Sequence, residues 1–563
     1  MSTPLSLLFQ RMRLPLVVLI GAYSVATVGY TLVPGFDEAG EPWTMSFLHA
    51  FYVVSYTGST IGFGELPAEF SNAQRLWTIV CIYMTVFAWL FAIGSLVGLI
   101  RDDAFHEALG RHRLQRSIRA IRSPFYLVCG FGGGGAMLVD NLVQSGRRVV
   151  VVDQSAEAIR DLQLRDYPVL VPGFRLDASI PESLLKAGLQ NRWCAGLLAL
   201  TDSDETNLKI ALAGRLLNQK LHVAARAKSE ATARNMTSFE TGFVVRPAEE
   251  FSRRIALAIT RPWAYQLYER LSEAGARQKW EPDTRLDGTW LVCGQDDHGR
   301  LLAERLRSEG VTTRIIAVED GQDDWPSSSV FGPSSEAATL EKAGVAEVTG
   351  LVAAHASDAE NLSTIMTARM LNPDLLVIAR ENYLHNRQLF EEAGTHLTCS
   401  VSGIIASAIR PVLEAPMVPE FIDSMLEHDE DWNRDCLERL RKRIGDERVQ
   451  FWSSRVSDKR TPPLAEAIEA GKTFTVGMLT LDPGNREEKL DALVLMVIRD
   501  ERVILLPDDD EPLAMGDRIL FCGTPHSAEL IWAVAMDPDV AHYLRTGQAR
   551  LARRPWWRRA VAS

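Results

Sequence analysis

Phe125-Tyr126-Leu127-Val128-Cys129-Gly130-Phe131-Gly132-Gly133-Gly134-Gly135 is the stretch that decides how the rest of the chain is read. Five apolar residues in a row form a strand buried on both faces, and the glycine run after them turns the chain sharply. Gly130, Gly132 and Gly135 stand at GxGxxG spacing. The first glycine permits a tight turn and the second lets a pyrophosphate approach the backbone. The third seats a helix whose N-terminus meets the phosphate. A second strand, Arg148 to Val152, ends at Asp153, 23 residues after Gly130, where a carboxylate would accept hydrogen bonds from ribose hydroxyls. That acid favours NAD or an adenine nucleotide such as ADP or ATP over NADP, whose ribose phosphate it would repel. A dinucleotide-type fold with an empty site is the alternative reading.

Downstream the pattern repeats. Ser203-Asp204-Glu205-Thr206-Asn207-Leu208 returns 154 residues on as Ser357-Asp358-Ala359-Glu360-Asn361-Leu362, Ala225-Arg226 returns as Ala379-Arg380, and Pro262 as Pro416. The second copy opens with a strand at Thr289 to Cys293 and a turn at Gly294, followed by a strand at Thr313 to Val318 that leads into Glu319 and Asp320. Asp296 takes the place of the central glycine there. Its side chain obstructs pyrophosphate and its charge repels it, so the second copy is expected to keep the architecture and lose dinucleotide binding. Asp177, Asp202 and Arg226 fall at predicted strand ends, where open α/β sheets place ligand contacts. Each copy closes with a long helical stretch, Glu249 to Leu271 and Gly403 to Leu426, expected to reach another subunit.

Upstream the composition changes. Leu14 to Val33 and Leu76 to Ile100 carry no charged side chain, and about twenty helical residues cover the roughly 30 Å of a bilayer core. Arg11 and Arg13 precede the first span and Asp37, Glu38 and Glu41 follow it. Arg101, Arg111, Arg113, Arg116, Arg119 and Arg122 follow the second. Positive flanks at both outer ends place the N-terminus and everything after residue 100 in the cytoplasm of a cell or inner membrane. A cleaved signal peptide is the alternative for the first span. Between the spans, Trp43 to Tyr56 is too short to cross and ends in Thr57-Gly58-Ser59-Thr60-Ile61-Gly62-Phe63-Gly64-Glu65. A re-entrant helix leading into non-helical backbone is tolerated at membrane depth only where it lines a watery cavity, which implies a pore.

The whole chain has 563 residues, 47% hydrophobic and 23% charged, with net charge −12. Those values exclude global disorder and a fully polytopic membrane protein, and the sign excludes a nucleic-acid partner. Seven scattered cysteines, Cys81, Cys129, Cys194, Cys293, Cys399, Cys436 and Cys522, form no CxxC pair and read as buried thiols.

Thr60 to Glu65, TIGFGE, resembles the selectivity-filter signature TVGYGD of potassium channels, in the same order of span, re-entrant helix, filter and span. The resemblance implies that Thr60, Ile61, Gly62 and Phe63 supply carbonyls to potassium ions, with Gly64 completing the run. It also implies that four chains surround the axis as a homotetramer. Phe63 departs from the signature by lacking a hydroxyl that, in the family, ties the filter to surrounding aromatic residues. Gly94 and Gly98, with Leu96, form a candidate hinge and gate, and close helix packing is the other reading of the glycines. The tandem modules, with their SDxxNL helix start and later AR, resemble the regulator-of-potassium-conductance domain, which builds cytoplasmic gating rings. By that resemblance Arg226 meets phosphate, a salt bridge within the fold being the alternative. The segment Met515-Gly516-Asp517-Arg518-Ile519-Leu520 resembles the family's small C-terminal lobe.

The expected organisation is a pore domain over 1–100, a basic gating linker over 101–123, regulatory domains over 124–286 and 287–430, a connector over 431–462, a C-terminal lobe over 463–540 and a basic tail over 541–563. The fold class is an all-α membrane pore, two transmembrane helices plus a re-entrant pore helix, followed by tandem α/β Rossmann-like doubly wound domains and a small α+β lobe. Asp508 to Glu511 is a candidate calcium site or a solvated hairpin tip, and the tail with Trp556 and Trp557 either touches anionic lipid or is disordered. The expected function is a nucleotide-gated potassium channel that needs no catalysis. The alternatives are a weakly selective cation channel, or a membrane-anchored NAD-dependent oxidoreductase, for which no recognisable proton donor follows the nucleotide fold.

Overall fold

Six parallel strands lie in the order Gly173–Arg175, Arg148–Asp153, Phe125–Cys129, Cys194–Ala199, His222–Arg226, Phe243–Val245. The same order recurs as Val330–Phe331, Thr312–Ala317, Thr289–Cys293, Gly350–Ala353, Leu376–Glu381, Leu397–Ser400. In each sheet the first strand in sequence pairs with the second on one side and the fourth on the other. That reversal opens a crevice at the carboxyl ends of the strands. Val149, Val150, Val151 and Val152 are all buried, as a parallel strand covered by helices on both faces requires. This computed structural model describes residues 4–37, 41–65, 69–101, 116, 118, 120–239, 241–272, 287–318, 329–445, 447 and 449–548. Glu38, most of the linker with Arg111, Arg113 and Arg119, Glu319, Asp320, and the tail with Trp556 and Trp557 lie outside the described residues.

The repeated SDxxNL segment explains itself in the fold. Ser203 and Ser357 cap the helices Asp204–Leu217 and Asp358–Leu371. Buried Asn207 accepts from Thr201 N (2.9 Å) and donates to the Thr201 and Arg226 carbonyls (both 2.9 Å). Asn361 does the same for His355 and Arg380. One amide thus stitches two neighbouring strand ends, and its own oxygen and nitrogen are both paired.

The two long helical stretches differ from expectation. Each is broken, into Pro247–Thr260 and Pro262–Ser272, and into Val401–Glu414 and Val418–Glu427, because Pro262 after the first break and Pro416 within the second cannot continue the i→i−4 ladder. They are also exchanged within the chain. Phe251, Ile255 and Ile259 join the second copy's core beside Trp290, Val292 and Leu302. Ile405, Ala406 and Ile409 join the first copy's core beside Val128, Leu138 and Leu142. Burying each isoleucine contributes about 1.5–3 kcal/mol. Arg254, 2% exposed, fixes the exchange through Glu250 (3.2 Å), Glu269 (3.2 Å) and Ser407 of the other copy's helix (2.6 Å).

A four-stranded antiparallel sheet follows, ordered Gln450–Arg455, Arg518–Gly523, Ala492–Arg499, Arg502–Leu505. Its edge strand comes from the stretch read as a connector, so the lobe begins earlier than 463. Asp517 of the glycine turn is buried, accepting from Arg499 Nε (3.0 Å) and Nη2 (2.8 Å).

Residues 1–120 and 121–563 are separate compact units. In the first, helices Pro4–Leu32 and Asn72–Ile100 are long and apolar enough to cross a membrane over Arg11–Leu32 and Asn72–Ile100. The second starts earlier than the apolar run because Ser71 and Gln74 form a capping box. Trp77 Nε1 donates to the Ala26 carbonyl (3.2 Å) and Tyr30 to Thr78 (2.7 Å), tying the pair together. Leu14, Val17, Ile20, Ile79, Tyr83, Phe87 and Leu90 face outward, an apolar exterior that water would penalise. The twelve-residue helix Phe47–Gly58 lies between them, shorter than a span, with Ser46 as its N-cap.

Candidate functional site

The first candidate site is the backbone after helix Phe47–Gly58. Thr60 (φ 63°), Gly62 (φ 65°) and Gly64 (φ 91°) alternate with Ile61 and Phe63, which keep negative φ. Alternation of this kind lets successive carbonyls face one axis, and the glycines bear it without cost. Thr60 does not: left-handed backbone costs an L-residue roughly 1–2 kcal/mol, so the conformation is held by its surroundings. Ile61 N donates to the Tyr56 carbonyl (2.9 Å). The Phe63 ring, without a hydroxyl, stacks on Tyr52 (6.3 Å) and meets Tyr56 edge-on (5.6 Å). At the end of the run Glu65 receives Arg75 through Nε (2.8 Å) and Nη2 (2.9 Å), and Phe70 N (2.9 Å). Those hydrogen bonds, Arg75's first, lower the Glu65 carboxyl to about 2.

Gly94, Leu96 and Gly98 lie on an unbroken helix. A Cβ on either glycine would meet nothing within 4 Å, so neither brings another helix of the same chain close.

The second candidate site is a crevice of roughly 790 Å³ at the carboxyl ends of the first sheet. Gly130 (φ 100°) makes the turn, and a Cβ there would lie 2.8 Å from the backbone of Leu200. A Cβ on Gly135 would run into the Gly130 carbonyl oxygen, so this glycine serves helix–strand packing. Gly132, the N-cap of helix Gly133–Gln144, offers no side-chain cap. A Cβ on it would meet no protein atom, only the crevice. The turn therefore leaves free N–H groups and open space where a pyrophosphate approaches. Asp153 accepts from Phe131 N (2.6 Å) and Ser155 N (2.7 Å), one on each carboxylate oxygen. Each oxygen keeps a lone pair for a ribose hydroxyl. Arg226 Nη1 pairs with Asp202 (2.5 Å), whose side chain is 86% exposed, while Arg226 Nε is buried without a hydrogen-bond partner. Arg226 thus makes the salt bridge within the fold and also lines the crevice. Asp177 lines the same crevice and caps Ser179 N (2.8 Å). The donors, the acids and the open cradle fit a dinucleotide or adenine nucleotide, which Gly130 to Gly134 would hold at the phosphates and Asp153 at the ribose.

Sequence reasoning missed Ser155, Thr201 and Ile405 in this lining. Ser155 carried a visible signal as the helix cap after Asp153. Ile405 carried none, since it arrives from the second copy on the exchanged helix. Gly133 and Gly134 pack against Ser402 and Ile405 of that helix, so the run of four glycines serves two purposes.

In the second copy a carboxylate stands at the place of Gly132. Asp296 caps helix Asp297–Ser308, accepting from His298 N (3.0 Å) and Gly299 N (3.4 Å), and pairs with Arg380 Nη1. Burial would raise the Asp296 carboxyl, but hydrogen bonding from His298 and the charge of Arg380 hold it well below the usual range. In the acidic turn of the C-terminal lobe, Asp509 pairs with Lys489 and Glu511 with Arg499 (3.0 Å). Among the described residues no three His, Cys, Asp or Glu side chains gather as a cation site.

The TrkA-N domain family matches residues 126–247 and 290–401, and an ion channel family matches residues 17–102. Potassium channel protein 1 of Methanocaldococcus jannaschii is 23% identical over 225 residues, 40% of this chain and 63% of that protein. Probable potassium channel protein 2 of the same organism is 21% identical over 277 residues, 49% of this chain and 76% of the relative. These relatives are named as channels rather than enzymes. Among solved structures, a GsuK channel bound to NAD aligns with a TM-score of 0.47 at 15% identity, covering 94% of this chain and 100% of that one. The chain therefore joins an ion-channel pore segment to two TrkA-N domains in tandem, the arrangement of the potassium channels with regulator-of-potassium-conductance domains that its sequence resembles.

Proposed function

We propose that this chain is one subunit of a homotetrameric potassium channel of the cell membrane, with its tandem domains in the cytoplasm. NAD or an adenine nucleotide bound in the first domain's crevice sets the open probability. The observation that carries this reading is the alternating backbone of Thr60 to Gly64 between two membrane-length helices. One such run cannot enclose an ion, and four around an axis can. The chain's own groups do the rest. Carbonyls of Thr60, Ile61, Gly62 and Phe63 replace the water around a potassium ion, and Gly94, Leu96 and Gly98 lie where the inner helix would bend or narrow. The Gly130–Gly134 backbone and Asp153 hold the nucleotide, with Arg226 beside the phosphates.

Binding moves the gate only through differential affinity for two ring shapes. Four sites that each prefer one shape about tenfold multiply to the roughly ten-thousandfold bias that turns a 1:99 equilibrium into 99:1. Ile405 makes the crevice sensitive to the position of the second copy, because the wall that a nucleotide touches belongs to that copy's helix. The Asp296–Arg380 pair puts an internal carboxylate where a phosphate would sit, so the second crevice is a structural partner and each chain takes one nucleotide.

Reconstitution into potassium-loaded liposomes tests the reading. Potassium flux that exceeds sodium flux and changes on adding NAD or ADP is expected, and absence of flux from intact tetramers refutes it. Phe63 favours one second reading, a cation channel with weak selectivity, which equal potassium and sodium fluxes would establish.

A further inference from the structure

Tyr56, on the last turn of helix Phe47–Gly58 and 5% exposed, grips the following run at three points. Its backbone carbonyl accepts from Ile61 N (2.9 Å) and Gly62 N (3.4 Å), and its hydroxyl donates to the Gly64 carbonyl (2.7 Å). The ring is wedged edge-on between Tyr52 (5.4 Å) and Phe63 (5.6 Å), while Phe63 stacks on Tyr52 at 6.3 Å. A ring held from two sides cannot swing, so the hydroxyl has one place to be. Phe63 has no hydroxyl, and no other side-chain hydrogen bond to the carbonyls of residues 60–64 occurs among those described.

We infer that Tyr56 is a positioning residue of the filter: its hydroxyl turns the Gly64 carbonyl outward, ends the row of ion-facing carbonyls at Phe63, and sets how far the row can contract. This rests on the channel reading above. The chemistry follows from ion size. Sodium is smaller than potassium and is well coordinated only if the carbonyls close in, so discrimination depends in part on what resists that closure. Anchored through Gly64 to a buried ring on a helix, the outer end of the row resists it. Released, the Gly64 peptide is free to rotate, and glycine offers no steric barrier.

Tyr56→Phe removes one oxygen and keeps the ring. Wild-type and variant channels in planar bilayers are compared by reversal potential under bi-ionic potassium and sodium. The variant is expected to lose at least about fivefold in the potassium-to-sodium permeability ratio, the factor corresponding to one net hydrogen bond of the four removed from the tetramer. The double variant Tyr56→Phe/Phe63→Tyr, which returns a hydroxyl from the other ring, is expected to recover selectivity, a recovery that a purely structural role for Tyr56 would not produce. A Tyr56→Phe channel that conducts with an unchanged ratio overturns the inference and leaves the channel reading standing, whereas a wild type that passes no potassium overturns both. If Tyr56→Phe does not assemble, Phe63→Tyr alone decides. With the anchor already present its ratio should stay within twofold of wild type, and a tenfold rise would show that the filter had been unanchored.

Discussion

Gly132→Asp in the first domain copies the residue that stands at the same place in the second. The structure lets its two effects be separated. A side chain at Gly132 meets no protein atom within 4 Å, and the residue sits at φ −75°, ψ −173°, which any L-residue adopts. At an N-cap, aspartate and glycine differ by only a few tenths of a kcal/mol. The melting temperature should therefore move by no more than a degree or two. Nucleotide binding should collapse. A carboxylate about 4 Å from a phosphate, at an effective dielectric near 20, opposes it by about 4 kcal/mol, roughly a thousandfold. Pairing of the new carboxylate with Arg226, as Asp296 pairs with Arg380, would offset part of that, so a loss of at least a hundredfold is expected. Gly132→Ala, which adds bulk without charge, should fall between. Gly135→Ala should instead destabilise the fold, because its Cβ meets the Gly130 carbonyl. Isothermal titration of NAD and ADP into the purified full-length protein, with melting curves alongside, reads all three variants. Unchanged affinity in a folded Gly132→Asp protein would mean that the phosphates lie elsewhere, and the crevice assignment would be wrong.

Other outcomes follow from the same geometry. Titration of the wild type should give one nucleotide per chain, and two equivalent sites would contradict the reading that the Asp296–Arg380 pair excludes a second nucleotide. Gly62→Ala puts a side chain on backbone at φ 65°, costing roughly 1–2 kcal/mol per chain. Potassium flux should vanish from tetramers that still assemble. The Glu65 carboxyl is depressed to about 2, so its ion pair with Arg75 is fully formed above the ordinary carboxylate range and is lost only as pH falls through about 2. Conductance should thus be flat between external pH 7 and 4.5. In Arg75→Gln the carboxyl rises towards its ordinary 4.5, with Phe70 N still holding it partly down, and conductance should begin to fall as the pH approaches 4.5. A wild type already halved at pH 4.5 would show that the pair does not govern the mouth.

What the chain states locally was legible without coordinates. Hydrophobic runs of membrane length, a strand of five apolar residues and glycines at fixed spacing each report an interaction within a few residues, and periodicity and turn chemistry carry that information. Gly130, Gly132, Gly135 and Asp153 come together as expected, and the repeat at 154 residues predicted two sheets of one topology. Tertiary structure alone decided the rest. Helices Pro247–Thr260 and Val401–Glu414 show an apolar face in either reading, and amphipathicity does not say which core that face enters. Only the folded chain shows the exchange that brings Ile405 to the nucleotide crevice and Phe251 to the second copy's core. The same holds for hydroxyls and charges. A tyrosine on a short helix reads as packing until its oxygen is found on the Gly64 carbonyl, and Asp296 and Arg380 are 84 residues apart until the sheet sets them side by side. Hydrogen bonds and ion pairs act over about 3 Å in space with no regard for distance along the chain, so their partners become known only when the backbone has closed.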